Sequence, residues 1–318
     1  MATEQRRDPL VRAAVVGVGY LGAFHAEKYA SLPGVELVAV VDSDAERAAA
    51  IGARVGVPAI ERVEALFGRI DCASIAVSTP AHFAVASALL DHGIDVLVEK
   101  PITATLDEGR QLVERAATRG RVLQVGHLER FNPAIRSLAG VLTKPRFIEC
   151  HRLAPFTERG TEVDVILDLM IHDLDVILSV VDAPLERVEA VGVPVLSERA
   201  DIANARLRFA GGTIANVTAS RVATKRERKI RFFQADTYVA VDYGDRSIRI
   251  IRRLPAPAGG AASIDASEQH FSDADPLFDE IEAFVASVRT RATPLVDGVT
   301  AVRAMEVAER IRAALETV

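Results

Sequence analysis

Up to about Gly126 the chain repeats one pattern. Short continuous apolar runs, "RAAVVGV", "VELVAVVD", "CASIAVS", "IDVLVEK" and "RVLQVGH", alternate with helix-like stretches, "LGAFHAEKYASL", "DAERAAAIGARVG", "AHFAVASALLDHG" and "LDEGRQLVERAATRG". Strands that are apolar throughout are buried on both faces, which predicts a parallel sheet covered by helices on both sides. Right-handed crossovers make this a doubly wound α/β domain over residues 1–126.

Beyond that point the pattern changes. "ERFNPAIRSLAGV" reads as a helix, "PRFIECHRLAPF" as a strand and "DVILDLMIHDLDVILSVV" as a long apolar helix. Alternating strands follow, with hairpin turns at Gly211-Gly212 and near Gly244-Asp245. Pro255–Ser267 reads as a loop, and "PLFDEIEAFVASVRT" and "TAVRAMEVAERIRAALE" as two closing helices. Antiparallel strands grouped in this way predict a separate α+β domain over residues 127–318. A length of 318 residues suits two domains.

Composition narrows the function. Hydrophobic residues at 49% and charged residues at 26% describe a folded chain, and with no Trp the core is built from Val, Leu, Ile and Ala. A net charge of −6 argues against a broad basic surface for nucleic acid, while leaving room for an anionic small molecule held by a few cations. Cys72 and Cys150 lie in apolar, strand-like contexts and are expected as buried thiols in a reducing compartment. No apolar run approaches the roughly 18 residues of a membrane span, and the N-terminus lacks signal-peptide character. A cytoplasmic protein is expected. The seven histidines are dispersed and no Cys/His spacing suits zinc, so no metal is expected.

The chemistry gathers at the ends of the predicted strands. "GVGYLG" places Gly17, Gly19 and Gly22 in G-x-G-x-x-G spacing between a strand and a helix. Gly17 permits the tight turn, Gly19 admits a pyrophosphate, Gly22 lets helix and strand pack, and the helix N-terminus faces the phosphate charge. Tyr20 and Leu21 lie inside this turn. Asp42 ends the second strand and is placed to accept from a ribose 2′-OH; no arginine follows it at once, so NAD is expected over NADP. Asp42, Ser43 or Asp44 also suits the N-cap of the next helix. Thr79, Pro80 and His82 of "STPAHF" fall at the carboxyl edge of the sheet, with a surface histidine near a cap as the alternative for His82. Glu99, Lys100 and Pro101 end a later strand. They are either a solvated rim or, beside a nicotinamide, a cation that stabilises a developing alkoxide. In "LDLMIHDLD", Asp168 and His172 stand at i and i+4 on one helix face, as a base and its orienting partner or as a satisfied core pair. Asp173 and Asp175 are rivals expected to face water or cap a contact. Arg221, Lys225, Arg226, Arg228, Lys229 and Arg231 read most simply as a solvated strand-and-loop surface, with an anionic ligand or partner as the alternative.

Together "GVGYLG", Asp42, "STPAHF", Glu99–Pro101 and Asp168-x-x-x-His172 resemble the Gfo/Idh/MocA oxidoreductase family over nearly the whole chain. The resemblance implies an N-terminal Rossmann domain binding NAD through Gly17, Gly19, Tyr20, Leu21, Gly22, Asp42, Ser43, Thr79, Pro80, His82, Glu99 and Lys100. It implies Lys100, Asp168 and His172 as catalytic residues. It also implies a C-terminal domain with an open, mostly antiparallel sheet that supports a homodimer or homotetramer. "VGHLERFNPA" resembles members acting on nucleotide sugars. The implied reaction is oxidation of a secondary hydroxyl of a UDP-sugar, at C3 of UDP-N-acetylglucosamine, with Arg130, Asn132 and Arg152 as candidates to grip the anion; capping and surface pairing are their alternative roles. Another alcohol substrate, such as inositol or a free sugar, and a non-catalytic NAD sensor are the rival functions.

Overall fold

The computed structural model describes residues 10–157, 163–256 and 262–316. It forms two compact units. One runs to His127 and takes in Leu277–Val302; the other comprises Leu128–Pro276 and the chain from Arg303.

In the first unit, β1 (Val11–Val16), β2 (Val35–Val41), β3 (Ala59–Ile60), β4 (Cys72–Ile75), β5 (Asp95–Glu99) and β6 (Leu123–Gly126) pair in parallel, in the order β3-β2-β1-β4-β5-β6. They are joined by α1 (Tyr20–Ser31), α2 (Ala45–Val55), α3 (Thr79–Asp91) and α4 (Leu106–Thr118). The two-residue β3 is too short to leave a periodic signal. The strand order reverses between β1 and β4, and ligands of such sheets bind at the carboxyl ends there.

The helix Pro276–Thr290 belongs to this unit, not to a contiguous 127–318 domain. Its Ile281, Phe284, Val285 and Val288 form one helical stripe, buried against Val15, Tyr29, Val40 and Leu97. Apolar complementarity, rather than chain order, decides where this helix packs.

The second unit holds α5 (Pro133–Arg136), β7 (Phe147–Leu153), a π-helical turn (Ile166–Met170) running on as α6 (Ile171–Val180), and β8 (Leu185–Val193). It continues with β9 (Ile202–Phe209), β10 (Ile214–Ser220), β11 (Glu227–Gln234), β12 (Thr237–Asp242), β13 (Ser247–Leu254), β14 (Ser263–His270) and β15 (Leu315–Glu316). The helix named above is α7, and α8 spans Gly298–Ala313. The nine strands run β14-β13-β12-β11-β7-β10-β9-β8-β15, antiparallel except for β7–β10 and β8–β15. Along β9, Ala203, Ala205, Leu207 and Phe209 are buried while Asn204, Arg206 and Arg208 are exposed, so one face of this sheet is covered.

Three expectations change. The helix over "ERFNPAIRSLAGV" is a 3-10 turn at Leu128–Phe131 followed by the four-residue α5. Pro133 cannot donate to a preceding turn, and the Asn132 side chain caps the new start by accepting from the Ala134 N–H at 3.1 Å. The Pro255–Ser267 loop gives way to β14 from Ser263, while residues 257–261 lie outside the described residues. Of the basic residues read as a solvated strand-and-loop surface, Arg228, Lys229 and Arg231 lie on strand β11, but Arg221 is buried. Cys72 and Cys150 are buried free thiols. Among the described residues no helix is long and apolar enough to cross a membrane.

Candidate active site

The β1–α1 turn is built around its glycines. Gly17 has φ +84°, and a Cβ there would lie 2.6 Å from the Val77 nitrogen. A Cβ on Gly22 would lie 1.8 Å from the Gly17 carbonyl oxygen. Gly19 differs: its missing Cβ faces nothing within 4 Å. It caps α1 without a side-chain hydrogen bond, and the first turn carries no acid. This helix end keeps main-chain N–H groups and positive dipole for an anion, and the open space at Gly19 fits a pyrophosphate approaching the backbone. Tyr20 is exposed, edge-on to Phe24 at 5.3 Å, and Leu21 is half-buried.

Asp42 is buried at the end of β2. Its Oδ2 accepts from the Val18 N–H at 2.8 Å and its Oδ1 from the Asp44 N–H at 3.0 Å. Arg47 adds a bidentate pair, Nε to Oδ2 at 3.1 Å and Nη2 to Oδ1 at 2.8 Å. Burial pushes the carboxyl pKa up, but Arg47 and the two N–H groups outweigh it and hold it below the ordinary value. Asp44, not Asp42, caps α2 by accepting from the Arg47 N–H, and Ser43 is exposed. Arg47 escaped the sequence reading because it stands five residues on, past the helix start. If Asp42 sits at the cofactor ribose, this pairing sets a test of cofactor choice. Asp42→Ser removes the repulsion toward a 2′-phosphate and releases Arg47 to meet it. NADPH affinity relative to NADH is expected to rise about 10-fold or more, about 1.4 kcal/mol, by nucleotide-fluorescence titration; an unchanged ratio defeats the assignment.

Thr79 and Pro80 open α3, where proline's fixed φ suits a helix start. His82 is buried rather than a surface residue: Nδ1 is 2.9 Å from the Pro101 carbonyl and Nε2 is 3.1 Å from that of Val77. It therefore ties α3 to the segment after β5. Burial lowers its pKa despite these carbonyls.

Glu99 is no solvated rim. It is 8% exposed, and its Oε1 lies 3.1 Å from Nε2 of the fully buried His25. His25 Nδ1 is 3.1 Å from Ser74 Oγ, which is 2.9 Å from Tyr29 Oη. With Glu280 of α7, His25 and Glu99 each bring one ligand-type atom within 4.8 Å of the others. This cluster, invisible in a sequence that separates its members widely, ties the end of β5 to α1 through the His25–Glu99 contact and brings Glu280 of α7 close to both. Lys100 follows it, half-buried, joined to Pro101 by a cis peptide, its N–H 3.3 Å from Glu99 Oε2.

In the second unit, Asp164 starts the helix that carries the other candidates. Its Oδ1 accepts from the Ile166 and Leu167 N–H groups, both at 3.1 Å, and Arg312 Nε donates to its Oδ2 at 2.7 Å. Asp168 falls in the π turn and His172 just beyond it. Both are half-buried on a helix whose other residues from Val165 to Leu178, Leu169 excepted, are buried. Single π turns recur at functional sites, where the wider turn re-aims side chains. Asp173 and Asp175 do not face water; each is 1% exposed. Asp173 takes a bidentate pair from Arg152, at 2.8 and 3.0 Å, and Asp175 lies 3.4 Å from Arg130. Arg152, itself 4% exposed, also holds Glu129 at 3.1 Å. Burial would lower its pKa, but Asp173 and Glu129 raise it further. Arg152, Arg130 and Asn132 are thus engaged within the unit by two internal ion-pair sets and a cap.

Asp201 braces the same helix. Fully buried, it accepts from the Val195, Leu196 and Ser197 N–H groups, from Ser197 Oγ and from Arg221 Nε. Arg221 in turn donates to the Val163 carbonyl at 2.8 Å. Burial raises the Asp201 carboxyl pKa, but these donors hold it well below the usual range. A depressed folded-state pKa gives stability that is present above the unfolded value, roughly 4, and lost as pH falls below it. Asp201→Asn is expected to cost roughly 1–3 kcal/mol at pH 7, with the gap to wild type closing in acid. Denaturant titrations across pH check this; a pH-independent gap refutes it.

Comparison with known proteins matches this arrangement. Residues 11–127 match the family model described as an oxidoreductase family with an NAD-binding Rossmann fold, and residues 135–240 match the GFO/IDH/MocA C-terminal domain. UDP-N-acetylglucosamine 3-dehydrogenase from Acidithiobacillus ferrooxidans is 39% identical over 96% of this chain and 97% of its own. A solved structure of that enzyme, GnnA, superposes with a TM-score of 0.89 at 38% identity, covering 97% of this chain and 99% of its own. Scyllo-inositol 2-dehydrogenase (NAD(+)) from Bacillus subtilis is 28% identical over 93% of this chain and 92% of its own. The chain belongs to the Gfo/Idh/MocA family of NAD-binding oxidoreductases.

Proposed function

We propose that this protein oxidises a secondary hydroxyl of a UDP-sugar, C3 of UDP-N-acetylglucosamine, to the ketone. The observation that carries the reading is the 39% identity to a dehydrogenase of that substrate over nearly the whole of both chains. The residues such chemistry needs are also present. NAD⁺ supplies the hydride acceptor, with Gly19, the α1 N-terminus and Asp42 as the residues that hold it. His172 accepts the hydroxyl proton; bound NAD⁺ would take the C–H hydrogen with its electron pair, so the alcohol would become a ketone with the proton held on the imidazole. Asp168 orients His172. Lys100 stabilises the substrate oxygen as charge builds on it. The His25–Glu99–Glu280 cluster and His82 fix the segment on which Lys100 sits.

A homodimer or homotetramer in the cytoplasm completes this reading. Two observations support it. One is the aromatic run Phe147, Phe233 and Tyr238, with ring centroids 5.5 and 5.1 Å apart, on residues alternating with the buried ones of β7 and β11. The other is the pair of free thiols.

The test is a substrate panel with NAD⁺: UDP-N-acetylglucosamine, UDP-glucose, myo-inositol and scyllo-inositol, followed by NADH absorbance. The expected result is turnover of UDP-N-acetylglucosamine to a product lighter by two hydrogens in mass spectrometry. Turnover of an inositol with none of either UDP-sugar overturns the proposal.

A further inference from the structure

Arg228 stands apart from the other arginines around the candidate active site. In the antiparallel β7–β11 pair it is directly opposite Arg152, so the two side chains rise from the same sheet face. Opposed like charges are destabilising unless something balances them. Arg152 has its balance in Asp173 and Glu129, and its guanidinium lies 5.0 Å from the centroid of the Tyr243 ring. Arg228 has none: among the described residues no carboxylate lies within ion-pair distance of it and no acceptor takes its side-chain N–H groups. It is half-buried, and Arg226 beside it on the chain is exposed and adds charge of the same sign. Burial lowers the Arg228 pKa most, Arg152 and Arg226 lower it further, and Glu129 and Asp173 oppose them. A guanidinium carries five N–H donors and does not lose its proton at neutral pH, so at this position it is a charge that folding has set in place without satisfying.

Its location gives that charge a use. The carboxylates that hold Arg152 include Asp173, the residue after His172. Arg228 is therefore one cross-strand pair and one ion pair from the proposed base, in the same unit.

We propose that Arg228 is the residue that grips the diphosphate of the sugar nucleotide, its planar fork donating to phosphate oxygens, with Arg152 as the buried, already-paired cation behind it. This rests on the reading of the substrate as a UDP-sugar, and it replaces Arg130, Asn132 and Arg152 as the anion contact. A guanidinium matches the geometry of a phosphate in bidentate fashion. The diphosphate is remote from the carbon that changes, so its contacts are made equally in ground and transition states and act on KM rather than kcat.

The experiment compares wild type with Arg228→Gln and Arg228→Lys. The measurements are kcat and KM for UDP-N-acetylglucosamine, inhibition by UDP and by uridine, NADH affinity and Tm. For Arg228→Gln, KM and the UDP inhibition constant are expected to rise together by about 10–100-fold, as for loss of one charged hydrogen-bonding pair. Expected to hold steady are kcat, the weak uridine inhibition and NADH affinity. Arg228→Lys is expected to recover part of the loss, a point charge without the fork. Because Arg228 has no ion-pair partner among the described residues, Tm is expected not to fall; a purely structural arginine would lower it. If Arg228→Gln keeps the wild-type KM and UDP inhibition, or if its only change is a lower Tm, the assignment is overturned. If the wild-type enzyme binds neither UDP nor UDP-N-acetylglucosamine, the sugar-nucleotide reading itself fails, and the assignment with it.

Discussion

His172→Ala is expected to lower kcat about 10²–10⁴-fold, the usual worth of a positioned general base. The residue is one of few half-buried positions on an otherwise buried helix, and the π turn before it sets the direction in which it leaves that helix. Its neighbour Asp173 is committed to Arg152 by a bidentate pair, and Asp175 lies at Arg130. Asp173 is thus not available to take over the proton, and Asp175 is itself buried. The loss should fall equally on kcat and kcat/KM, since a base acts on the substrate proton only as the transition state forms. NADH affinity should be unchanged, because the cofactor residues lie in the other unit. The measurement is steady-state NADH formation from UDP-N-acetylglucosamine by wild type and variant. Turnover at the wild-type level would remove His172 from the mechanism.

The second large effect is expected from a single methyl group. In Gly22→Ala the new Cβ meets the Gly17 carbonyl oxygen at 1.8 Å and the carbonyl carbon at 2.8 Å, well inside any real contact. The turn cannot give way cheaply. Gly17 is itself wedged against the main chain of Ala76 and Val77, at 2.6–2.7 Å from where a Cβ would stand. Moving it breaks the Gly17 N–H bond of 2.7 Å to the Val41 carbonyl. The expected cost is about 3 kcal/mol or more, with loss of measurable NADH binding. Gly19→Ala is the control, because its methyl enters open space. That variant is expected to keep the wild-type Tm and still lose at least about 10-fold in NADH affinity, about 1.4 kcal/mol, since its methyl enters the space proposed for the pyrophosphate. Equal Tm values for the two variants would refute the division of labour between the glycines.

Much of this was legible before any coordinates. The parallel sheet announced itself because strands buried on both faces are apolar at every position, and the glycine spacing announced the turn. What escaped notice escaped for physical reasons. β14 is exposed along its whole length, so "SIDASEQH" carries no burial signal at all. The basic run from Arg221 to Arg231 reads as a solvated surface, yet Arg221 is buried against Asp201, 20 residues away in sequence. Asn132-Pro133 is a cap followed by a helix start, yet it sat inside a stretch with helical periodicity. Asp173 and Asp175 are expected at the surface because carboxylates usually are; Arg152 and Arg130, 21 and 45 residues away in sequence, make their burial possible. The same holds for His25, Glu99 and Glu280, drawn from three elements, and for Arg228, whose partner across the strands is another arginine. Pairings of this kind are properties of topology, and no local window contains them.

The placement of α7 bears on biogenesis. The nucleotide-binding unit lacks Ile281, Phe284, Val285 and Val288 until the last quarter of the polypeptide has been translated. At synthesis rates of roughly 5–20 residues per second, the nascent chain waits on the order of ten seconds with Tyr29, Val40 and Leu97 lacking their cover. A ribosome-bound fragment ending near His127 is therefore a natural client for chaperones, and expression of that fragment alone should give aggregates rather than a free cofactor-binding module.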